Sequence, residues 1–158
     1  EDYHAMIIHT NGVEDEMLDP QKHAKKNKLS LEDISNPKSM GPLKYSYTRH
    51  QLSSAYSGDI GDLQASLLSC MWSYQNLASA MKEYYVKKNN PYKKWIEDYA
   101  KKKNLDSFKL GCQLLDRKSS KYGKYASERM KQIFFISVLH ETALWDEYYN
   151  MVKWSDII

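Results

Sequence analysis

Residues 63–85, LQASLLSCMWSYQNLASAMKEYY, decide the fold class. Leu63, Leu67, Cys70/Met71, Tyr74, Leu77/Ala78, Met81 and Tyr85 recur every three or four residues, the period that gathers side chains on one face of an α-helix. At a rise of ~1.5 Å per residue such a helix is about 35 Å long. Asp59 and Asp62 suit its opening turn, where carboxylates meet the positive end of the helix dipole. Asn89, Asn90 and Pro91 stop it, since proline can neither donate the next backbone hydrogen bond nor fit a helix interior.

The same period extends outward on both sides. Tyr45, Tyr47/Thr48, Leu52 and Ala55/Tyr56 predict a helix over Lys44–Tyr56, ended by Ser57, Gly58 and Asp59, with Gly58 as a left-handed C-cap. Downstream, Tyr92, Trp95, Ile96 and Tyr99 mark a short helix, and Phe108, Cys112 and Leu115 another. Ser127 is placed to cap a last helix with the stripe Met130, Ile133/Phe134, Ser137/Val138, Glu141, Leu144/Trp145 and Tyr148. Upstream, residues 3–18 suggest a helix weakened at Gly12, and Pro20 interrupts the chain. The polar stretch Lys22–Lys28 reads as a solvated turn, and Ser30–Asp33 as a capped helical start. Asn36, Pro37, Gly41 and Pro42 mark a loop. No stretch alternates as a strand would, so the expected class is all-α.

Composition narrows function mainly by exclusion. A chain of 158 residues with 42% hydrophobic and 27% charged residues is expected to be one globular domain over 1–158. Its net charge of +3 (Lys+Arg 23 against Asp+Glu 20) is spread in short runs beside acidic neighbours, which argues against a nucleic-acid partner. Cys70 and Cys112 lack zinc-ligand spacing. They admit one disulfide, but their helical, apolar surroundings suit reduced thiols. No apolar run approaches the ~20 residues that span a bilayer. The opening EDYHAMIIHTN has neither signal-peptide nor transit-peptide character, so a cytoplasmic location with no membrane partner is expected. His4, His9, His23 and His50 show no metal or triad spacing, and His50 is expected on the side of its helix away from most of the Tyr face.

Chemistry concentrates at a few positions. Cys70 and Tyr74 stand at i and i+4 and share a face. A cysteine there packs as a small hydrophobe, or becomes a nucleophile where a partner takes its proton, because a thiol of ordinary pKa is only a few per cent ionised at neutrality. Tyr74, Tyr47 and Tyr99 each read either as core or as walls of a slot for a flat polar heterocycle, their rings stacking and their hydroxyls reading its edge. Glu141 stands among apolar or small turn neighbours, Ser137, Val138, Leu144 and Trp145. Burial would raise its pKa and let it exchange a proton near neutrality. A carboxylate hydrogen-bonded to Tyr or Ser, or placed at a subunit interface, is the alternative. His140 points about 100° away from Glu141 on the helix and need not act with it. Cys112 reads as core.

Taken in order, YSYTRH (45–50), SLLSCMWSY (66–74), NPYKKWIEDY (90–99), HETALWDEYY (140–149) and KWSD (153–156) resemble the TenA family. Its usual patterns are LLPCxWxY, P-x-Y-x-x-W-I-x-x-Y and E-x-x-F-W, and the likeness runs from about Val13 to the C-terminus. The resemblance implies the all-α, haem-oxygenase-like fold without haem, and the activity of thiaminase II, an aminopyrimidine aminohydrolase of thiamin salvage. It implies that Cys70 is the nucleophile, that Glu141 manages protons, and that Tyr47, Tyr74 and Tyr99 bind the pyrimidine. It further implies a homotetramer and neither metal nor redox cofactor. Three departures stand out: Ser69 replaces the usual proline, Leu144 replaces the usual phenylalanine, and the family's first helices, with an acidic pyrimidine-gripping residue, are not in this sequence. On those grounds the domain is expected to be incomplete at its N-terminus. The competing reading is a catalytically impaired relative with a pyrimidine-binding or assembly role.

Overall fold

Gly41 and Pro42 begin the first helix rather than lying in a loop. The computed structural model describes residues 35–85 and 89–157, with isolated positions at 7, 25, 28–30 and 32. The helix expected over residues 3–18 and the break at Pro20 lie outside these residues, as do most of Lys22–Lys28 and of Ser30–Asp33. A 3-10 turn, Pro37–Ser39, capped by the Asn36 side chain, leads into α1, Pro42–Ser57. Pro42 sits at the first helical position, where a missing N–H costs nothing. The next two N–H groups are satisfied from far along the chain: Leu43 N–H donates to Glu147 Oε2 at 2.6 Å, and Lys44 N–H to Glu147 Oε1 at 3.2 Å. Gly41 is needed here, because a Cβ would collide with that carboxylate.

Helix α1 ends at Gly58, but not by a left-handed cap. Gly58 is extended (φ −113°, ψ −151°), and glycine is required because a Cβ would strike the Asp62 side chain. The carboxylates behave as expected at the start of α2, Ile60–Tyr85. Asp59 Oδ1 accepts from the N–H groups of Gly61 (2.7 Å) and Asp62 (3.3 Å), while Asp62 Oδ2 accepts from Asp59 N–H (3.0 Å). The other Asp62 oxygen holds Arg129 Nε at 2.8 Å.

Two further helices complete the frame. The short α3, Lys93–Tyr99, buries Ile96. Then α4, Lys102–Asn150, consists of two arms that meet at Gly123 (φ 77°, ψ −167°), a conformation essentially reserved for glycine. The break therefore falls at Gly123, and Ser127 lies inside the second arm instead of capping it. Both arms pack on α2 in opposite directions. In the first arm (102–122) Lys118 lies at Gly61 and Gly111 lies at Gln64 and Leu68. In the second (124–150) Met130 lies at Gly61, Phe134 at Trp72 and Trp145 at Tyr74.

Flanked by α1, α3 and both arms, α2 is the central helix. Its most buried positions are Asp62, Gln64, Ala65, Ser66, Leu68, Ser69 and Ala78, and the stripe read from periodicity is mostly half-buried, with Leu77 exposed. Small and polar side chains allow three neighbours to approach the same backbone, which larger ones would hold apart. No strand occurs among the described residues, and the class is all-α. No helix among them is long and apolar enough to cross a membrane.

Candidate active site

Three helices bring Tyr47, Cys70, Tyr74 and Glu141 to one place. Cys70 and Tyr74 come from one face of α2, half-buried; Tyr47 comes from α1 and Glu141 from the second arm of α4, each only 3% exposed. The Tyr47 hydroxyl pairs with Ser69 Oγ at 2.9 Å. Its ring lies nearly parallel to His140, centroids 5.4 Å apart at 10°.

Burial sets the electrostatics. Removal from water pushes the Glu141 carboxyl above the usual carboxylate range; the Tyr47 hydroxyl, the Cys70 thiol and the Lys44 charge oppose it. Glu141 Oε2 is buried with no hydrogen-bond partner. Burial likewise raises the Tyr47 phenol, against its bond to Ser69, and the Glu141 and Cys70 charges push it higher still. Tyr74 is raised first by burial, then by the charges of Cys70 and Glu141. Thiol, carboxyl and two phenols thus share one field, and both phenols stay protonated at any physiological pH.

Tyr99 joins the group through aromatic contacts. Tyr74 packs on Tyr99 (5.2 Å), Trp145 (5.5 Å) and Trp95 (5.8 Å), and Trp95 meets Tyr99 at 4.9 Å. Trp95 and Trp145 were not among the residues singled out from sequence as site residues. Their spacing gives the signal: Trp95 is one turn before Tyr99, and Trp145 one turn after Glu141. Leu144, in place of the phenylalanine usual in the resembling family, is buried, and Trp145 beside it supplies an aromatic wall.

The histidines need a correction. His50 does not turn away from Tyr47: both touch His140, His50 at 5.2 Å and 31°, and His50 Nε2 pairs with Ser137 Oγ at 2.8 Å. Burial lowers the pKa of both imidazoles, and each stays neutral at pH 7. His140 packs on Tyr47 and His50, the direction expected of a residue about 100° from Glu141. His4, His9 and His23 lie outside the described residues. Cys112 is half-buried in the first arm, its thiol pushed up by burial, and neither cysteine is in a disulfide. Among the described residues no cluster of His, Cys, Asp or Glu could hold a metal ion. A surface depression bounded by Lys38, Met40, Val152 and Trp154 shares no residue with this constellation.

Fold and constellation define an all-α bundle of the haem-oxygenase-like kind, with thiol, carboxyl and aromatic rings at the crossing of its helices. Residues 8–151 match the TENA/THI-4/PQQC family, and the chain belongs to it. It is similar to the aminopyrimidine aminohydrolase of Bacillus subtilis (strain 168), 29% identical over 153 residues, covering 96% of this chain and 64% of that protein. The aminopyrimidine aminohydrolase of Helicobacter pylori is 30% identical over 106 residues, 66% of this chain and 49% of that protein. That of Halalkalibacterium halodurans is 28% identical over 110 residues, 69% of this chain and 49% of that protein. The chain thus spans between about half and two thirds of the length of these relatives.

Proposed function

We propose that this chain hydrolyses aminopyrimidines in thiamin salvage, converting 4-amino-5-aminomethyl-2-methylpyrimidine to its hydroxymethyl form and cleaving thiamin. The observation that carries this reading is the meeting of Cys70 with a buried carboxyl that has one oxygen unpaired. A buried polar atom without a partner costs stability, and a substrate N–H would supply the missing hydrogen bond. The names of the three relatives support the substrate class.

In this mechanism Cys70 gives up its proton and its sulfur adds to the pyrimidine ring. The leaving group departs as amine or as thiazole, the amine taking up a proton as it goes. Water then adds to the exocyclic carbon, the sulfur leaves the ring, and Cys70 regains a proton. Glu141 is the proton donor and acceptor in these steps, a role that suits a carboxyl whose pKa lies above its usual range. Tyr47, Tyr74 and Tyr99 bind the ring, with Trp95 and Trp145 backing the last two.

The same reading takes residues 1–158 as a single cytoplasmic domain that assembles as a homotetramer. Exposed Phe135, Ile136 and Leu139 offer apolar surface for a second copy. Hydrolysis of the aminomethyl-pyrimidine, followed by chromatography in the native chain and in Cys70→Ala, tests the central claim. Turnover that falls by about 10³-fold or more in the variant supports Cys70 as nucleophile. Turnover that survives sinks that role, and a folded native chain without turnover leaves a pyrimidine-binding or assembly role.

A further inference from the structure

Ser69 precedes Cys70 on α2, is fully buried, and reaches across to the Tyr47 hydroxyl at 2.9 Å, with either oxygen able to donate. Behind it, Ser66 O lies 3.5 Å from Ser69 Oγ, a long but available acceptor. Ahead of it, Tyr47 interacts with Glu141. Ser66 carbonyl, Ser69 hydroxyl, Tyr47 hydroxyl and Glu141 carboxyl therefore form one line. Helix α2 runs unbroken through this position, as it can with serine, which keeps the N–H that proline lacks.

A hydroxyl donates one hydrogen bond and still accepts others, so the line has two satisfied arrangements. With Glu141 ionised, Tyr47 donates to the carboxylate and Ser69 donates to the Tyr47 oxygen. With Glu141 protonated, its O–H donates to Tyr47, Tyr47 donates to Ser69, and Ser69 turns to the Ser66 carbonyl. Passing between them rotates two hydroxyls and breaks no bond except the O–H of Glu141, whose proton is exchanged with the reacting molecule.

We propose that Ser69 is a positioning residue that acts through Tyr47, keeping this buried phenol hydrogen-bonded in both protonation states of Glu141. The carboxyl can then gain and lose a proton without stranding a buried donor. The place of this switch in turnover rests on the hydrolase reading above; the switch itself does not. Glu141 also faces Lys44 from α1, Cys70 and Tyr74 from α2, and Tyr148 from its own arm. The Lys44 charge favours the ionised carboxyl and burial the protonated one, so both states are accessible.

Removing the Ser69 hydroxyl affects the two states unequally. The protonated arrangement leaves the Tyr47 O–H without an acceptor, whereas the ionised one merely deprives the Tyr47 oxygen of a donor. Glu141 should therefore titrate at lower pH, by about one unit. The test uses the full chain, Ser69→Ala, Tyr47→Phe and the double variant, each checked for helical content. Two pH profiles are recorded, hydrolysis of the aminomethyl-pyrimidine and alkylation of Cys70 by iodoacetamide, the latter read by peptide mass spectrometry to separate Cys70 from Cys112. The inflection is assigned to Glu141 by its disappearance in Glu141→Gln. The expected result is a downward shift of that inflection in Ser69→Ala and no further shift when Ser69→Ala is added to Tyr47→Phe. Ser69→Gly gives the same shift if alanine disturbs packing. An unmoved or absent inflection overturns the proposal, as does a shift that persists without the Tyr47 hydroxyl or a loss of rate with no shift. If the native chain is alkylated with the Glu141 inflection but hydrolyses nothing, the hydrolase reading fails, and the alkylation profiles alone decide the role of Ser69.

Discussion

The two arms of α4 lie against the same helix and use it differently. The first arm meets α2 through Gly111 and buries Leu114 completely, a contact made by close approach and apolar filling. The second arm buries Ala126, Met130 and Leu144, but also Ser137, Glu141 and Glu147. Each of its buried polar groups has a different fate. Ser137 donates to Ile133 O at 2.9 Å and pairs with His50. Glu147 spends both oxygens on the N–H groups that open α1, where the helix dipole favours a negative charge. Glu141, six residues earlier, keeps one oxygen unpaired beside Cys70. Two buried glutamates on one helix thus separate into a structural tie and a reactive group. The difference lies in whether the fold supplies their hydrogen bonds.

The sharpest way to break this contrast is Glu141→Gln. Turnover of the aminomethyl-pyrimidine should fall by about 10²- to 10⁴-fold, the usual worth of a general acid–base group. The midpoint of denaturant unfolding at neutral pH should stay or rise, since no buried carboxylate remains to be ionised. A clear loss of stability with activity retained would reverse the assignment of the two glutamates.

On the first arm the expected effect is structural. Leu114→Ala should lower unfolding free energy by about 2–5 kcal/mol, through lost burial and the cavity left behind, as read from urea melts. The ratio of Glu141-dependent to total activity should not change in the molecules that remain folded. Glu147→Gln is expected to cost less, about 1–2 kcal/mol, because one charge-assisted bond at the start of α1 is weakened. Calorimetry showing no loss would mean that α1 is held by its apolar contacts alone.

The smallest effect concerns pH. The folded-state pKa of Glu141 is raised, so the native chain holds this proton more tightly than the unfolded chain. The resulting stability is complete below the ordinary carboxylate pKa and is lost as pH rises through the raised folded value. Unfolding free energies of the native chain and Glu141→Gln, measured across that window, should diverge with the native chain losing more. Parallel curves would show that the carboxyl is not desolvated enough to matter.

Much of this was legible from residue order, for reasons that are local. The 3.6-residue period exposes a helix wherever one face is buried, which is why α1, α2 and α3 appear close to their observed bounds. Cys70 and Tyr74 share a face by spacing alone, and Glu141 stood out because its turn neighbours are apolar or small. The misreadings also have a physical pattern. Gly58 was expected to be left-handed because glycine permits it, whereas here it admits the Asp62 side chain. Ser127 looked like a cap because its side chain can serve as one, but the chain turns at Gly123, where the backbone requires glycine.

Sequence alone determined the helical class, the resemblance to its family and the chemical types available to the site, because these depend on period and on residues close together in order. Tertiary structure decided which glutamate caps a helix and which is left unpaired, that Ser69 meets Tyr47, and that His140 lies under the Tyr47 ring. Glu147 and Leu43 are 104 residues apart, and Tyr47 and Ser69 are 22 apart. Hydrogen bonds of that span arise only once packing has set the angles between helices, and a few tenths of an ångström then decide which polar atoms are satisfied.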